Sequence, residues 1–244
     1  MSISTTPLPV ITLESRVGDL VAACPSLARI FQQLRIDYCC GGRQSLAAAS
    51  TDRGLAPATV VTLLEAAVKA LAAGPTEVDA AAMSLTELAN HIEGTHHAYL
   101  KEELPRLVEM ADRVAYKHGH RDPQLREVAA TVMDLAGDMI AHMQKEEVVL
   151  FPLVRQIEAG ARGGFHATVA DPIRAMELEH DDAGRALARL RELTDGFVPD
   201  GEACNTHRAL LAGLAELEED LHRHVHKENN ILFPRTLGRL AAAS

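Results

Sequence analysis

Apolar residues recur three and four positions apart through most of the chain, and that period predicts amphipathic helices rather than strands. In the first 73 or so residues it is carried by two segments, SRVGDLVAACPSLARIFQQLRI and LAPATVVTLLEAAVKALAAG, separated by the turn-like CCGG. They predict a small helical domain over residues 1–76. Gly74, Pro75 and the acidic TEVDAAAM that follows read as a linker.

From Ser84 the apolar stripes lengthen into four helices that fill residues 84–240. The first opens with SLTE, in which Ser84 and Glu87 have the spacing of a capping box, and runs to about Lys117. Asp122-Pro123 and Asp171-Pro172 each place an N-cap residue before a proline, which predicts the starts of the second and third helices. The fourth starts near Asn205 and Thr206. Short polar or Gly-rich joints between long amphipathic helices make sequential helices antiparallel neighbours, hence an all-α, antiparallel four-helix bundle behind the small domain. No Val/Ile-rich alternating run suggests a sheet.

Composition narrows the function. The chain has 244 residues, 47% of them apolar but only 3% aromatic, so its core is built from Leu, Ala, Val and Ile. A net charge of −10 without any Lys/Arg cluster argues against nucleic acid. No stretch approaches the ~18 apolar residues of a membrane span, and the N-terminus lacks a basic region followed by an apolar run; a cytoplasmic protein is expected. Cys39 and Cys40 are adjacent, so a secreted disulfide framework is a poor reading of the four cysteines.

One motif is written twice. HMQKEEVVLFP, from His142 to Pro152, returns as HVHKENNILFP, from His224 to Pro234. Residues four apart share a helical face, so His142, Glu146 and Leu150 form one stripe and His224, Glu228 and Leu232 another. A single His-Glu pair of this kind is commonly a surface contact. The repeat extends further, however: His97 precedes His142 by 45 residues and His180 precedes His224 by 44. The chain is two related helical hairpins, each with one His on its first helix and a His-Glu pair on its second.

Folding the hairpins together brings four His and two Glu into the bundle interior. Burying two carboxylates without partners costs several kcal/mol apiece, a large part of the ~5–15 kcal/mol that stabilises a domain. Cations must sit between them. Imidazole and carboxylate suit first-row metals, and bundles hold carboxylate-bridged dinuclear centres. Two ions bridged by Glu146 and Glu228, with two His on each, use His97, His142, Glu146, His180, His224 and Glu228. Iron is the expected metal and manganese the second choice. Six protein ligands leave room for an oxo bridge and a small exogenous ligand.

The same register sorts the neighbouring residues. Register and the apolar stripe Leu100, Leu104, Val108 favour His97 over His96, which stands as the alternative by spacing. His222 and His226 lie two residues either side of His224, roughly 200° away around the helix, and are expected to be solvated. Glu147 aligns with Asn229 and reads as supporting or exposed rather than ligating. Glu179 reads as a solvated helix-face residue, with a place near a substrate channel as the sharper alternative. His91, His118, His120, His166 and His207 are assigned to surface or loops. Pro152 and Pro234 should kink or end their helices about a turn past the metal, with Phe151 and Phe233 closing the site against water.

The C-terminal part resembles hemerythrin-like proteins. The combination of DYCCGG (Asp37 to Gly42), HHAYLKEELP, HMQKEEVVLFP, MELEHDDAG and HVHKENNILFP is similar to the di-iron repair-of-iron-centres proteins, bacterial factors for iron-sulfur cluster repair. The resemblance covers nearly the whole chain and implies an oxo-bridged non-haem di-iron centre on the six residues named above. It implies a stress-response role in restoring clusters damaged by nitric oxide or peroxide, by iron delivery or nitric oxide reduction, with damaged iron-sulfur proteins as partners and nitric oxide or oxygen as small ligand. It further implies that Cys39 and Cys40 are functional thiols. By their chemistry alone they could accept iron or a nitrosyl, cycle through a strained disulfide, or be packing residues before a Gly turn. Cys24 and Cys204 are read as packing residues. The alternative function is a reversible oxygen or nitric oxide sensor or carrier; the oligomeric state, a homodimer included, is left open.

Overall fold

A computed structural model describes residues 9–71, 79–160 and 165–241, with side chains omitted at 70–71 and 165–168. Gly74 to Val78, the first half of the expected linker, lie outside the described residues, as does the side chain of His166. Among the described residues the secondary structure is helical, with one isolated bridge between Arg16 and Ser45. No described helix is long and apolar enough to cross a membrane.

The chain divides into two compact units, Met1–Ser84 with Val225–Arg235, and Leu85–His224 with Thr236–Ser244. In the first, α1 (Val17–Ala23), α2 (Leu27–Gln33) and α3 (Leu46–Asp52) have two turns each, and α4 (Pro57–Leu71) is longer. They bury Val17, Leu20, Leu27, Phe31, Leu46 and Leu64 together with Val225. Helices of two turns are unstable alone, so this packing holds them. The hydrophobic pattern did not mark α3; its start is set by Ser45, whose hydroxyl accepts from the Ala48 N–H at 3.2 Å.

From Leu85 onward the helices form the antiparallel bundle. Its first helix runs from α5 (Leu85–Ile92) through a π-helical turn, Glu93–His97, into α6 (Ala98–His118). Its second is α7 (Gln124–Lys145), a π turn at Glu146–Leu150, and α8 (Phe151–Glu158). α9 (Phe165–Leu193) is the third, and the fourth comprises α10 (Asn205–Lys227), a π turn at Glu228–Leu232 and α11 (Phe233–Ala241). Leu104, Leu107, Val132, Leu135, Leu187 and Leu214 belong to one core, and each such side chain contributes roughly 1.5–3 kcal/mol by burial. Gly213 lets α10 approach α6, since a Cβ there would stand 2.7 Å from Leu107 Cδ2.

One helix boundary differs from expectation. α9 does not start at Asp171-Pro172; Pro172 lies inside it. Val169, Ile173 and Met176, on either side of the proline, are at most 4% exposed, and burying that stripe outweighs one lost hydrogen bond. At Pro152 and Pro234, where a kink or an end was expected, the α-helix is interrupted by a π turn and continues as α8 and α11.

Candidate metal centre

The π turns position the chemistry. His97 ends the first, and Glu146 and Glu228 begin the second and third. In each, the residue after the turn bonds five residues back: the N–H groups of Ala98, Phe151 and Phe233 donate to the carbonyls of Glu93, Glu146 and Glu228. An α-helical proline at 152 or 234 would crowd the carbonyl four residues before it. A turn widened by one residue relieves that clash and rotates the Glu relative to the helix that follows. The Glu93–His97 turn has no proline; it contains Gly94.

The six side chains singled out by spacing meet in two groups, His97, Glu146, His224, Glu228 and His142, Glu146, His180, Glu228, each with ligand atoms within 4.8 Å of one another. All six are at most 1% exposed. Both groups contain both carboxylates. Glu146 Oε2 stands 3.3 Å from His97 Nε2 and 3.3 Å from His142 Nε2. The Nε2 atoms of His97 and His224 are 3.3 Å apart, and those of His142 and His180 3.0 Å. Two donors on one first-row ion, with bonds of ~2.1 Å at right angles, stand about 3 Å apart.

The outer edges of the imidazoles decide what the inner edges present. His97 Nδ1 lies 2.8 Å from Glu147 Oε1, and His142 Nδ1 lies 2.9 Å from Glu179 Oε2. An ionised carboxylate only accepts, so its partner Nδ1 carries the proton and Nε2 turns a lone pair inward. Glu147 is held in turn by Lys101 Nζ at 2.6 and 2.8 Å, and Glu179 by Lys145 Nζ at 2.5 Å. Burial would raise both carboxyl pKa values, but the hydrogen bonds from Lys101 and His97, and from Lys145 and His142, outweigh it and hold them below the usual range.

The interior is therefore two imidazole lone pairs aimed at a carboxylate. Both Glu146 oxygens are buried and take no hydrogen bond from a described residue. Such an arrangement is repulsive by itself and becomes attractive when cations occupy it. The residues present fit a pair of metal ions, and Glu146 and Glu228, common to both groups, are the ones able to bridge.

His96 does not enter either group. Its ring stacks on that of His224, 5.4 Å and 4° apart, and its Nδ1 lies 2.8 Å from Asp220 Oδ1. Phe151 is fully buried and stacks on His97 at 5.6 Å, and Phe233 is 1% exposed. Glu179, for which solvation was the plainer reading, is instead tied to His142 and lines a cavity of about 170 Å³ that also touches His142, Lys145 and Met139. Lys101, four residues after His97, and Lys145, three after His142, were overlooked signals for the outer chain of contacts.

His226 corrects an expectation. It is 5% exposed, not solvated: its ring meets Tyr38 edge-on at 5.4 Å and its Nδ1 lies 3.3 Å from the Tyr38 carbonyl. Burial pulls its pKa down to about 4, so it is neutral. The helix face opposite His224 was read correctly as a different face, but the loop carrying Cys39 covers it. Asn230, one turn on, donates through Nδ2 to the Cys39 carbonyl at 2.9 Å, a contact spacing could not reveal. His222 is half-buried. Cys39 is buried, Cys40 partly so, and no disulfide forms among the described residues.

Residues 88–236 match the family described as the hemerythrin HHE cation binding domain, and residues 13–68 match ScdA_N, a domain of unknown function. Among similar proteins is the iron-sulfur cluster repair protein YtfE of Musicola paradisiaca (strain Ech703), 38% identical over 225 residues, which cover 92% of this chain and 96% of that protein. The protein of that name from Pectobacterium carotovorum subsp. carotovorum (strain PC1) is also 38% identical over 225 residues, 92% and 97% of the two chains. The one from Salmonella choleraesuis (strain SC-B67) is 34% identical over 221 residues, 91% and 96% of the two.

Proposed function

The chain belongs to the hemerythrin HHE cation-binding family, and from that premise we propose that it repairs iron-sulfur clusters damaged by nitrosative or oxidative stress, using a non-haem di-iron centre. His97 and His224 would hold one ion and His142 and His180 the other, with Glu146 and Glu228, common to both groups, available to each. Iron is preferred to manganese because the reading requires a metal that the damaged cluster itself uses. Damaged iron-sulfur proteins are the clients, nitric oxide or oxygen the small ligand, and the cytoplasm the compartment.

The observation that carries this reading is the membership of Glu146 and Glu228 in both four-residue groups; a purely structural ion would need one such group. Bound iron would supply Lewis acidity and one-electron redox chemistry. The chain's own residues do the rest. Glu147 and Glu179 hold the Nδ1 protons of His97 and His142, which keeps both Nε2 atoms basic. Phe151 walls off His97. The cavity beside His142 and Glu179 offers a small molecule a way in, with the Lys145–Glu179 pair at its edge.

Repair proceeds in this reading by delivery of iron to the damaged cluster, by reduction of nitric oxide at the centre, or by both, with Cys39 and Cys40 as auxiliary thiols; for the reduction, two ferrous ions would each give one electron and solvent two protons, and two nitric oxide molecules would leave as nitrous oxide and water. The test is recovery of a nitric-oxide-inactivated iron-sulfur dehydratase on adding the purified, iron-loaded protein. Recovery by the wild type and none by a Glu146→Leu/Glu228→Leu variant is expected. Equal recovery with both would overturn the role of the centre.

A further inference from the structure

The loop from Asp37 to Gly42 carries a second cluster of metal-ligating side chains that shares no residue with the His/Glu centre. Asp37, Cys39 and Cys40 each bring a ligand atom within 4.8 Å of the other two. The Cys39 thiol donates to Asp37 Oδ1 at 3.1 Å, and the same oxygen accepts from the Cys39 backbone N–H at 2.9 Å. The carboxylate is thus folded back toward the thiols. Gly41 leaves it room, since a Cβ at that position would stand 3.2 Å from Asp37 Oδ2 and 3.0 Å from the Asp37 carbonyl oxygen.

The loop's backbone is held from outside. Asn230 Nδ2 donates to the carbonyls of Cys39 at 2.9 Å and Tyr38 at 3.3 Å. A Cβ on either Gly18 or Gly42 would collide with Asn230 Oδ1, so the two glycines let the backbone close around that side chain. Gly18 also donates to the Gly42 carbonyl at 2.9 Å. Cys39 is buried, Cys40 is partly buried and Asp37 is exposed: the three ligand atoms sit on a backbone held from outside and open to solvent on one side.

We propose that Asp37, Cys39 and Cys40 form a mononuclear site for a thiophilic divalent cation of the zinc type, with its fourth position left to an exogenous ligand. Two thiolates and one carboxylate are a donor set for such an ion, and three protein ligands plus an open position mark a reactive rather than a structural site. Tetrahedral bonds of ~2.3 Å to sulfur and ~2.0 Å to oxygen put sulfur and oxygen about 3.5 Å apart, so Cys39 Sγ and Asp37 Oδ1 need move by only a few tenths of an ångström. Binding is an exchange of the ion for two protons. Each S–H bond breaks heterolytically, its proton goes to solvent, its electron pair goes to the cation, and no oxidant is needed. Without a cation the Cys39 thiol stays protonated, because its hydrogen bond with Cys40, its burial and the Asp37 charge all raise its pKa. A divalent charge reverses that preference. The inference goes beyond cluster repair and stands whether or not that reading holds.

The probe is Co2+, added without oxygen to the full-length protein whose His/Glu centre already holds iron. One equivalent should produce a thiolate-to-cobalt charge-transfer band in the near ultraviolet, displaced by Zn2+. Cobalt entering the His/Glu centre yields no such band, since no sulfur is present there. The band should vanish in Cys39→Ser/Cys40→Ser, bind cobalt at least ~tenfold more weakly in Asp37→Asn, and stay unchanged in Cys24→Ser/Cys204→Ser. Absence of the band in the wild type, its survival in the Cys39/Cys40 variant, or its loss in the Cys24/Cys204 variant would overturn the site. Far-ultraviolet helicity and iron content check folding. Should the double variant lose either, Cys40→Ser at the partly exposed position decides: about half the band intensity supports the site and full intensity rejects it.

Discussion

Glu147 and His97 come from different helices of the bundle, and the carboxylate oxygen of the first lies 2.8 Å from Nδ1 of the second. That contact fixes which nitrogen of His97 carries its proton, and the pairing of Glu179 with His142 at 2.9 Å repeats it on the other side of the centre. Contacts of this kind typically account for 10–100-fold in metal affinity. Glu147→Ala and Glu179→Ala should each lower iron affinity by about that factor while leaving the helix content unchanged. Lys101→Ala, one contact further out, should have a smaller effect in the same direction. Competition with a chelator measures all three, and unchanged affinity in Glu147→Ala would remove the orienting role.

Metal removal should reverse the ranking of two proteins. Both oxygens of Glu146 are buried and take no hydrogen bond from a described residue, so without metal ions the polar side chain has no partner that repays its desolvation, and an apolar side chain of similar size removes that cost. Apo Glu146→Leu should therefore melt above apo wild type, whereas the metal-loaded wild type should melt above Glu146→Leu in the same buffer. Scanning calorimetry before and after chelation gives the comparison; the same order in both states would contradict it.

Asn230→Ala should loosen the cysteine loop without touching a thiol. The variant loses donors to the Cys39 and Tyr38 carbonyls and the side chain around which Gly18 and Gly42 close. A cost of ~1–3 kcal/mol is expected from the unsatisfied carbonyls, with faster alkylation of buried Cys39. Chemical denaturation and mass-resolved thiol labelling report the two effects separately. Unchanged labelling would show that the loop holds its shape without Asn230.

The first two N–H groups of α5 donate to the carboxylate of Glu158, both at 2.8 Å. Burial would raise the Glu158 pKa, but a hydrogen bond from the Thr86 side chain, these backbone bonds and the Arg239 charge outweigh it and hold the carboxyl below its ordinary range. A carboxyl with a depressed folded-state pKa contributes stability that is fully present above its unfolded value and is lost as pH falls through the folded one. Below about pH 4.5 the wild type should therefore lose its advantage over Glu158→Gln, and above it Glu158→Gln should be less stable by ~1 kcal/mol. Melting of both proteins from pH 3 to 7 checks the sign; parallel curves would refute it.

The helical period marked the bundle, and the doubled His-x-x-x-Glu with its upstream His picked out the six side chains that the fold gathers into two groups. Those features are local: a residue's face follows from its place in the period, and two copies of one motif must fold alike. The preference for His97 over His96 also came from the stripe that follows it, and His96 instead stacks on His224.

What the tertiary structure alone decided concerns partners. A period says which way a side chain leaves the helix, never what waits there. His226 was placed on the face away from His224, yet that face is covered by Tyr38 and not by water. Asn230 pins a loop nearly two hundred residues earlier in the chain, and Glu158 caps α5 from 73 residues away. The π turns at Glu146 and Glu228 belong to the same class, since a proline announces a break but packing on both sides chooses a widened turn over an ended helix. The sequence by itself determined the donors and their faces, because these follow from chemistry and from a 3.6-residue period. Their orientation, protonated edge and burial needed contacts between segments far apart in the chain, and only folding supplies those.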